Sequence, residues 1–330
     1  MSILVTGASG FVGLHLLELM LTRGDSVVGL SSTPIPPTVA SRFKALPGRL
    51  TEVVGDVRDG ELLARLMAAH GVSQVCHMAA ITASAEREKQ AADVILDVNF
   101  VGLARVLKAS ADAGVARFMY VSSIAVFGGM SADGSLIDED APHAASALYA
   151  ITKSTGEAVT ARLAGLLGID YVVARLGRVF GPYEYATGVR DTLSQVYQAT
   201  ALARAGQPFG FARPCIKNWN YGPDVAVNLD LLLRAPAHAH RVYNLGTPNA
   251  WSLATWCDLL AQRLPGVDCV VGPASAGRVE IDLGGGHDAG LLSWQRFSAE
   301  FQPPPPYGVE AAFNDYLDFL VTDSFLPIQT

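Results

Sequence analysis

Short apolar runs alternate with longer amphipathic stretches through the first half of this chain. That rhythm limits the folds open to it more than any other feature. Ile3-Leu4-Val5 reads as a buried strand, and Phe11 to Arg23 carries apolar residues at helical spacing until Gly24-Asp25 breaks it. Ser26 to Leu30, Leu50 to Val54, Gln74 to His77, Arg117 to Ser122 and Asp170 to Leu176 read as further strands. Glu61 to His70, Ala91 to Ala113 (closed by Gly114) and Ala147 to Leu167 read as helices between them. Apolar strands separated by helices predict an α/β fold with a parallel sheet covered on both faces.

The chain has 330 residues, which admits one large domain or two modest ones. Half are hydrophobic and 17% are charged, which excludes a disordered or fibrous chain. Lys and Arg number 24 against 31 Asp and Glu, a net charge of −7 without long basic runs. Neither nucleic acid nor an anionic membrane is an expected partner. No uncharged apolar run reaches the roughly 18 residues of a membrane span. The first residues lack the basic and apolar regions of a secretory leader. Cys76, Cys215, Cys257 and Cys269 show no C-x-x-C spacing, so spacing indicates neither a zinc site nor a redox dithiol. No metal is expected, His238 and His240 being too isolated for one. A soluble cytoplasmic protein is.

Gly7-Ala8-Ser9-Gly10-Phe11-Val12-Gly13 is G-x-x-G-x-x-G between a strand and a helix. Gly7 permits a tight turn, Gly10 lets backbone approach a pyrophosphate at the helix N-terminus, and Gly13 lets helix pack on strand. The expected fold is a Rossmann-type doubly wound parallel sheet over residues 1–176, binding NAD(P). A smaller, mixed α/β substrate domain follows over 177–330, with some late segments returning to the first. After Gly181 the rhythm loosens. Gly284-Gly285-Gly286 and Pro303 to Pro306 read as loops before a last helix, Val309 to Val321. The second strand ends Leu30-Ser31-Ser32-Thr33 with no carboxylate to hydrogen-bond a ribose 2′-hydroxyl. Ser31 and Ser32, with Arg42 folding back, favour the 2′-phosphate of NADP over NAD.

Tyr149-Ala150-Ile151-Thr152-Lys153 is Y-x-x-x-K, which on a helix sets phenol and ammonium on one face. A tyrosine titrates near about 10 unperturbed, and neighbouring cations favour its phenolate. Such a phenol can exchange the proton of a carbinol while hydride moves to or from a nicotinamide. Val121 to Gly128, at the end of the fifth strand, offers hydroxyls for the reacting oxygen. His77, ending an apolar strand, reads as structural, and Trp251 and Trp256 read as core or interface residues near the start of a helix.

Together these segments resemble an extended short-chain dehydrogenase/reductase of the NAD(P)-dependent epimerase/dehydratase family. The matching stretches are Thr6 to Gly13, Gly55-Asp56-Val57, His77 to Ala80, Val98 to Gly102, Ser122 to Gly128, Tyr149 to Lys153, Arg175 to Pro182 and, more loosely, Trp219 to Asp224. The resemblance implies that Tyr149 is the general acid/base, Ser123 orients the oxygen, and Lys153 binds the nicotinamide ribose and lowers the tyrosine pKa. It implies cofactor contacts at Gly7, Ser9, Gly10, Phe11, Val12, Gly13, Asp56, Val57, Met78, Ala79, Ala80, Asn99 and Val179. Thr82 lies where substrate contacts occur. A homodimer through the helix bearing Tyr149 and Lys153 is also implied. Ala158, Val159, Leu163 and Leu166 are compatible with it.

Two departures bear on the substrate. Arg178 stands before Gly181-Pro182 where relatives acting on sugar nucleotides carry Asn, and Lys217-Asn218 stands where they carry Arg-Asp. Arg178, Arg190, Lys217 and Arg278 are candidates for binding an anionic substrate. Ile124 and Ala125 follow Ser123 where the dehydratases carry acids, which disfavours 4,6-dehydration. The expected activity is hydride-transfer epimerisation or oxidoreduction of a sugar-derived alcohol or ketone. The alternatives are a dehydrogenase/reductase of a small anionic carbonyl compound with net cofactor turnover, and a non-catalytic NAD(P) sensor.

Overall fold

The alternation closes into one seven-stranded sheet. The computed structural model describes residues 2–129, 136–273, 275–284, 288 and 290–322. Gly285 and Gly286 of the glycine run lie outside the described residues. The first half runs β1 (Ser2–Thr6), α1 (Phe11–Arg23), β2 (Ser26–Ser31), α2 (Pro37–Lys44), β3 (Arg49–Val54), α3 (Gly60–His70), β4 (Val72–His77), α4 (Ala85–Leu96), α5 (Gly102–Asp112), β5 (Arg117–Ser123), β6 (Leu136–Ile137), α6 (Leu148–Leu167) and β7 (Asp170–Leu176). The second half runs β8 (Arg178–Phe180), α7 (Gln195–Arg204), β9 (Phe209–Phe211), β10 (Ile216–Tyr221), α8 (Gly222–Arg234), β11 (Val242–Leu245), β12 (Ala250–Ser252), α9 (Leu253–Arg263), β13 (Cys269–Val271), β14 (Val279–Glu280), β15 (Leu291–Leu292), α10 (Gln295–Phe301) and α11 (Val309–Thr322).

The main sheet is parallel throughout, in the order β11-β7-β5-β4-β1-β2-β3. The order reverses between β1 and β4, and ligands of doubly wound sheets bind at such a switch point. Every residue of β1 is buried, as a central strand covered on both faces must be. Leu14, Leu17 and Leu21 of α1 pack with Leu229 and Leu232 of α8 on one face. Leu63, Met67, Val106 and Leu107 pack with Phe118 and Tyr120 on the other. Each such side chain stabilises the fold by roughly 1.5–3 kcal/mol relative to exposure. Local signals set the helix ends. Gly24 closes α1 in the left-handed region at φ 95°, and the Asp59 side chain caps α3 by accepting from the Leu62 N–H.

The long helix predicted from Ala91 to Ala113 is three pieces. Ser84 accepts from the Arg87 N–H, so α4 starts at Ala85, and non-helical backbone at Ala91 kinks it. A π-helical turn at Asp97–Val101 then precedes α5. It places Asn99 inside, where its amide bonds the Ile81 backbone on both sides and the Thr152 hydroxyl. From the second half, β11 returns to the edge of the main sheet and α8 packs on α1, so one core spans both halves. Small sheets, β12-β10-β8 and β13-β9-β14, form the rest of that half.

Candidate active site

The glycine turn shapes a groove at the switch point. Gly7 sits at φ +72°, and a Cβ there would lie 2.9 Å from the Ala79 nitrogen. A Cβ on Gly13 would lie 2.4 Å from the Gly7 carbonyl oxygen, so α1 reaches the turn only through glycine. Gly10 caps α1 without a side-chain bond, which leaves its first-turn N–H groups and the positive helix end without a side-chain partner. Gly7, Gly10, Phe11, Val12 and Gly13 line a cavity of about 460 Å³. Ser9, Ser31, Ser32, Asp56, Val57 and Ala79 line an adjoining one of about 160 Å³, and Met78 and Ala80 border both. Two lobes joined over a bare helix N-terminus fit a dinucleotide with its phosphates at the turn. In the smaller lobe Ser31 Oγ accepts from the Ser9 N–H at 2.7 Å, and the Ser9 and Thr33 hydroxyls lie 3.2 Å apart. Asp56 is bound by the Arg58 guanidinium, which holds its carboxyl below the ordinary range.

The larger lobe contains the predicted catalytic residues. Tyr149 opens α6, Ser123 ends β5 and Thr82 follows β4, and all three line this lobe, where the two hydroxyls favour the phenolate. Burial pushes the phenol above its usual range, while those two hydroxyls and the charge of Arg190 pull it back. Lys153, one turn along α6 and 4% exposed, donates from Nζ to the Val121 carbonyl at 2.7 Å. Its ammonium lies 5.8 Å from the centre of the Tyr149 ring. Burial holds its pKa down to about 8, and Glu157 opposes that. The sequence predicts Lys153 as the cation that lowers the phenol. In the structure the Lys153 ammonium is bonded to a carbonyl, and the charge of Arg190 also favours the phenolate.

Glu157 is missed by the sequence reading. It is buried behind α6, accepting from Ser122 Oγ at 2.5 Å and from two Arg175 nitrogens at 2.9 and 2.7 Å. A Tyr149, Lys153, Glu157 repeat every four residues on one helix face is the signal that could have found it. The pair fixes α6 against β5 and β7, and so fixes Tyr149.

Arg178 on β8, with Lys217 and Trp219 on β10, forms the far wall of the same cavity. The strands are in register, Trp219 opposite Arg178. Lys217 donates to Gln195 Oε1 at 3.2 Å and lies 5.1 Å from the Trp219 ring centre. Burial lowers the pKa of both cations, and Arg178 lowers that of Lys217 further. Among the described residues neither has a carboxylate within ion-pair distance.

A strap of residues 183–194 crosses the groove. Tyr185 Oη donates to the Ser9 carbonyl at 2.7 Å, and Thr82 N–H donates to the Val189 carbonyl at 2.8 Å. Val189 borders both lobes. Arg190, on the same strap, lies 5.2 Å from the Phe11 ring centre and pairs with fully buried Glu184 at 2.9 Å. Glu184 also accepts from the N–H and hydroxyl of Ser194, both at 2.6 Å.

Val179 and Thr82 line the larger lobe as expected. Three expected residues do not join the site. Arg278 pairs with Asp268 at 2.7 Å and borders a separate small cavity beside Gly210. Asn99 spends its amide on Ile81 and Thr152, supporting the loop after β4 rather than facing the groove. Arg42 pairs with Glu18 at 2.7 Å and covers the Phe319 ring, so it does not fold back on the second-strand hydroxyls. His77 is structural: Nδ1 meets Thr6 Oγ1 at 2.8 Å, and burial drives its pKa down to about 3. Trp256 is buried in the core, and Trp251, on β12 just before α9, packs against it. Among the described residues no cluster of His, Cys, Asp and Glu could hold a metal, and no helix is long and apolar enough to cross a membrane.

The model of the NAD dependent epimerase/dehydratase family matches residues 3–246. UDP-glucuronate 4-epimerase 1 of Arabidopsis thaliana is 32% identical over 187 residues, 55% of this chain and 43% of that protein. The match thus spans under half of that relative's length. A dTDP-glucose 4,6-dehydratase of Xanthomonas campestris pv. campestris is 24% identical over 97% of this chain and 93% of its own. Among solved structures, DesIV, a dTDP-glucose 4,6-dehydratase from Streptomyces venezuelae with NAD and TYD bound, superposes with a TM-score of 0.81. It is 23% identical over 98% of both chains. UDP-glucuronic acid 4-epimerase from Bacillus cereus, in complex with UDP-glucuronic acid and NAD, gives 0.80 at 18% identity over 98% of this chain and 99% of that one.

Proposed function

The chain belongs to the NAD dependent epimerase/dehydratase family, and from that premise we propose that it is an epimerase of an anionic, sugar-derived substrate. The observation that carries this reading is one cavity bordered by the glycine turn, by Tyr149 with its Ser123 and Thr82 partners, and by Arg178 and Lys217. A bound nicotinamide supplies the hydride acceptor. Tyr149 as phenolate takes the proton of the substrate hydroxyl and returns it after the intermediate ketone has turned its other face. Ser123 donates a hydrogen bond to the reacting oxygen, Lys153 holds the ribose hydroxyls, and Arg178 and Lys217 clamp the anionic end. Ile124, in the cavity wall beside Ser123, carries no proton, which supports epimerisation over dehydration.

The strap supports retention of the cofactor through turnover, which separates an epimerase from a dehydrogenase with net turnover. The test is a screen of uronic acids, sugar phosphates and sugar nucleotides, read by chromatography and by the absorbance of reduced nicotinamide. Product without net absorbance change is expected. Stoichiometric reduction or oxidation of added cofactor moves the assignment to a dehydrogenase/reductase.

NADP is the preferred cofactor in this reading, because the rim of the smaller lobe offers the Ser32 and Thr33 hydroxyls and no carboxylate on the second strand. Titration of both reduced cofactors checks it, and tenfold tighter NADH binding overturns it. A second copy of the chain would cover the outer face of α6 and α4. Leu166 there is 61% exposed and Ile151 41%, with Val94 and Leu96 nearby in the chain order of α4. Light scattering at assay concentration reads the mass. Four unpaired cysteines suit a reducing compartment, so we place the protein in the cytoplasm.

A further inference from the structure

Tyr149 is the second residue of α6, in the turn where a helix frays first. The local sequence gives that turn little support. Its N-cap is Ala147, which has no side-chain acceptor, and no acidic residue stands in the first turn. Other helices begin differently. Asp59, Ser84, Ser194 and Ser252 each accept from an N–H of the helix they open, at α3, α4, α7 and α9. The Glu157–Arg175 pair lies about two turns further along α6, or roughly 12 Å from Tyr149, too far to hold the end of the helix.

The missing cap comes from another helix. Glu88, half-buried on α4, accepts from the Leu148 N–H through Oε1 at 2.7 Å. A carboxylate there satisfies one of the orphan donors of α6 and sets negative charge against its positive end. The same turn of α4 is anchored on the strap. Ser84 N–H donates to Asp191 Oδ2 at 2.8 Å, and Arg87 donates to the Gly188 carbonyl at 2.6 Å and to Asp191 Oδ1 at 2.9 Å. Just before it, the Thr82 backbone bonds Val189 and Asp191. One short segment thus bears on the strap and on the start of α6. We propose that Glu88 is a positioning residue for Tyr149, capping α6 from outside and so setting the phenol against Ser123, Thr82 and the reacting oxygen. The inference rests on the reading of Tyr149 as the acid/base. Glu88 lines neither lobe of the groove. It acts through the Leu148 peptide, which directly precedes Tyr149. A displacement of about 1 Å at the phenol is enough to cost about 10²-fold in rate.

The test compares Glu88→Ala, Glu88→Gln and Glu86→Gln in the full chain saturated with cofactor, on a compound turned over in the screen above. Glu88→Ala is expected to lower kcat about tenfold, with KM and cofactor Kd within about twofold. Glu88→Gln keeps an oxygen acceptor for the Leu148 N–H and should bring kcat back to within about threefold of the parent. Glu86→Gln removes a carboxylate of the same turn whose partners are Lys89 and Gln90, and should leave kcat unchanged. A second measurement needs no substrate. With tyrosines carrying carbon-13 at Cζ, the Tyr149 resonance is the one missing from Tyr149→Phe. It should move in Glu88→Ala and return in Glu88→Gln. An unchanged kcat or an unmoved resonance in Glu88→Ala overturns the proposal, and so does a Gln variant as slow as the Ala one. A Tyr149→Phe variant that stays active overturns the acid/base reading instead. If no compound is turned over, the resonance alone decides the role of Glu88.

Discussion

Replacing Lys153 with Met should abolish turnover and at the same time stabilise the fold. The ammonium is 4% exposed and titrates near about 8 instead of 10.5, with burial the main cause. That displacement corresponds to roughly 3 kcal/mol of penalty on the charged form at neutral pH. Met fills the same volume without charge, and Glu157 keeps Arg175 as its partner. The bond from Nζ to the Val121 carbonyl is lost, a debit of about 1–2 kcal/mol. The net gain is about 1–2 kcal/mol, or roughly 1–3 °C in Tm for a chain of this length. The sign with pH is fixed by linkage. Between about 8 and 10.5 the unfolded chain holds more protons at this lysine than the native one, so the unaltered protein gains stability as pH rises. Below pH 8 the penalty is present in full, and above 10.5 it is gone. The difference in Tm between variant and parent should therefore be largest at pH 7 and shrink by pH 10. Calorimetry of cofactor-free protein at both pH values reads it. A Met variant that melts below the parent at pH 7, or a gap that does not change with pH, would falsify the reasoning that burial destabilises this ammonium.

Tyr149→Phe should lower kcat by about 10²–10⁴ while the dinucleotide Kd stays within about twofold; retention of more than a tenth of kcat removes the phenol from the chemistry. Tyr185→Phe loses the bond to the Ser9 carbonyl and should speed cofactor dissociation roughly five- to tenfold in a stopped-flow chase; an unchanged rate means the strap does not hold the cofactor. Gly13→Ala puts a Cβ 2.4 Å from the Gly7 oxygen and should weaken dinucleotide binding at least about tenfold by fluorescence titration. Ser32→Asp should shift the preference toward NADH by about tenfold or more, since a carboxylate at the rim of the smaller lobe repels the 2′-phosphate; an unchanged ratio would place the ribose elsewhere.

How much of this was legible depended on the range of the forces involved. Periods of about two and 3.6 residues are written locally, and β1, α1, β5, α6 and β7 lie within a residue of their predicted spans. The glycine turn was legible because each glycine answers a contact a few residues away, or one with the end of β4. Tyr149 and Lys153 were legible because a helix turn joins them. The break in the helix at Asp97–Val101 was not, since Asn99 turns inward to partners at Ile81 and Thr152, and no spacing reports that. Arg190 was read as a substrate ligand, and it does line the larger cavity. Its place against Phe11 and Glu184 depends on a strap whose path is set by Ser9, Thr82 and Ser194, contacts up to 176 residues apart in sequence. Arg278 was misplaced, because only the fold of β13-β9-β14 puts it beside Asp268.

The cations of the cavity divide on physical grounds. The chain carries a net charge of −7, so a cationic wall is not a by-product of composition. Arg190 is balanced inside the protein by Glu184, a carboxylate with no solvent exposure that Ser194 also holds. An ion pair of that kind serves architecture, fixing the strap and holding one positive charge near the Tyr149 phenol whatever is bound. Arg178 and Lys217 stand on β8 and β10 with no carboxylate in ion-pair distance among the described residues, each lowered in pKa by burial and only partly offset by the charge of Asp288. A cation taken from water without a close counter-ion weakens the fold, and here buried Lys217 has half-buried Arg178 beside it. In the reading proposed above, their partner is the anionic end of the substrate. The substitution of Arg for the Asn expected before Gly181-Pro182, and of Lys for Arg at 217, keeps the wall basic while changing its donors. In that reading, selection among phosphate, diphosphate and carboxylate substrates falls to this wall, and Tyr149 across the cavity carries the proton exchange.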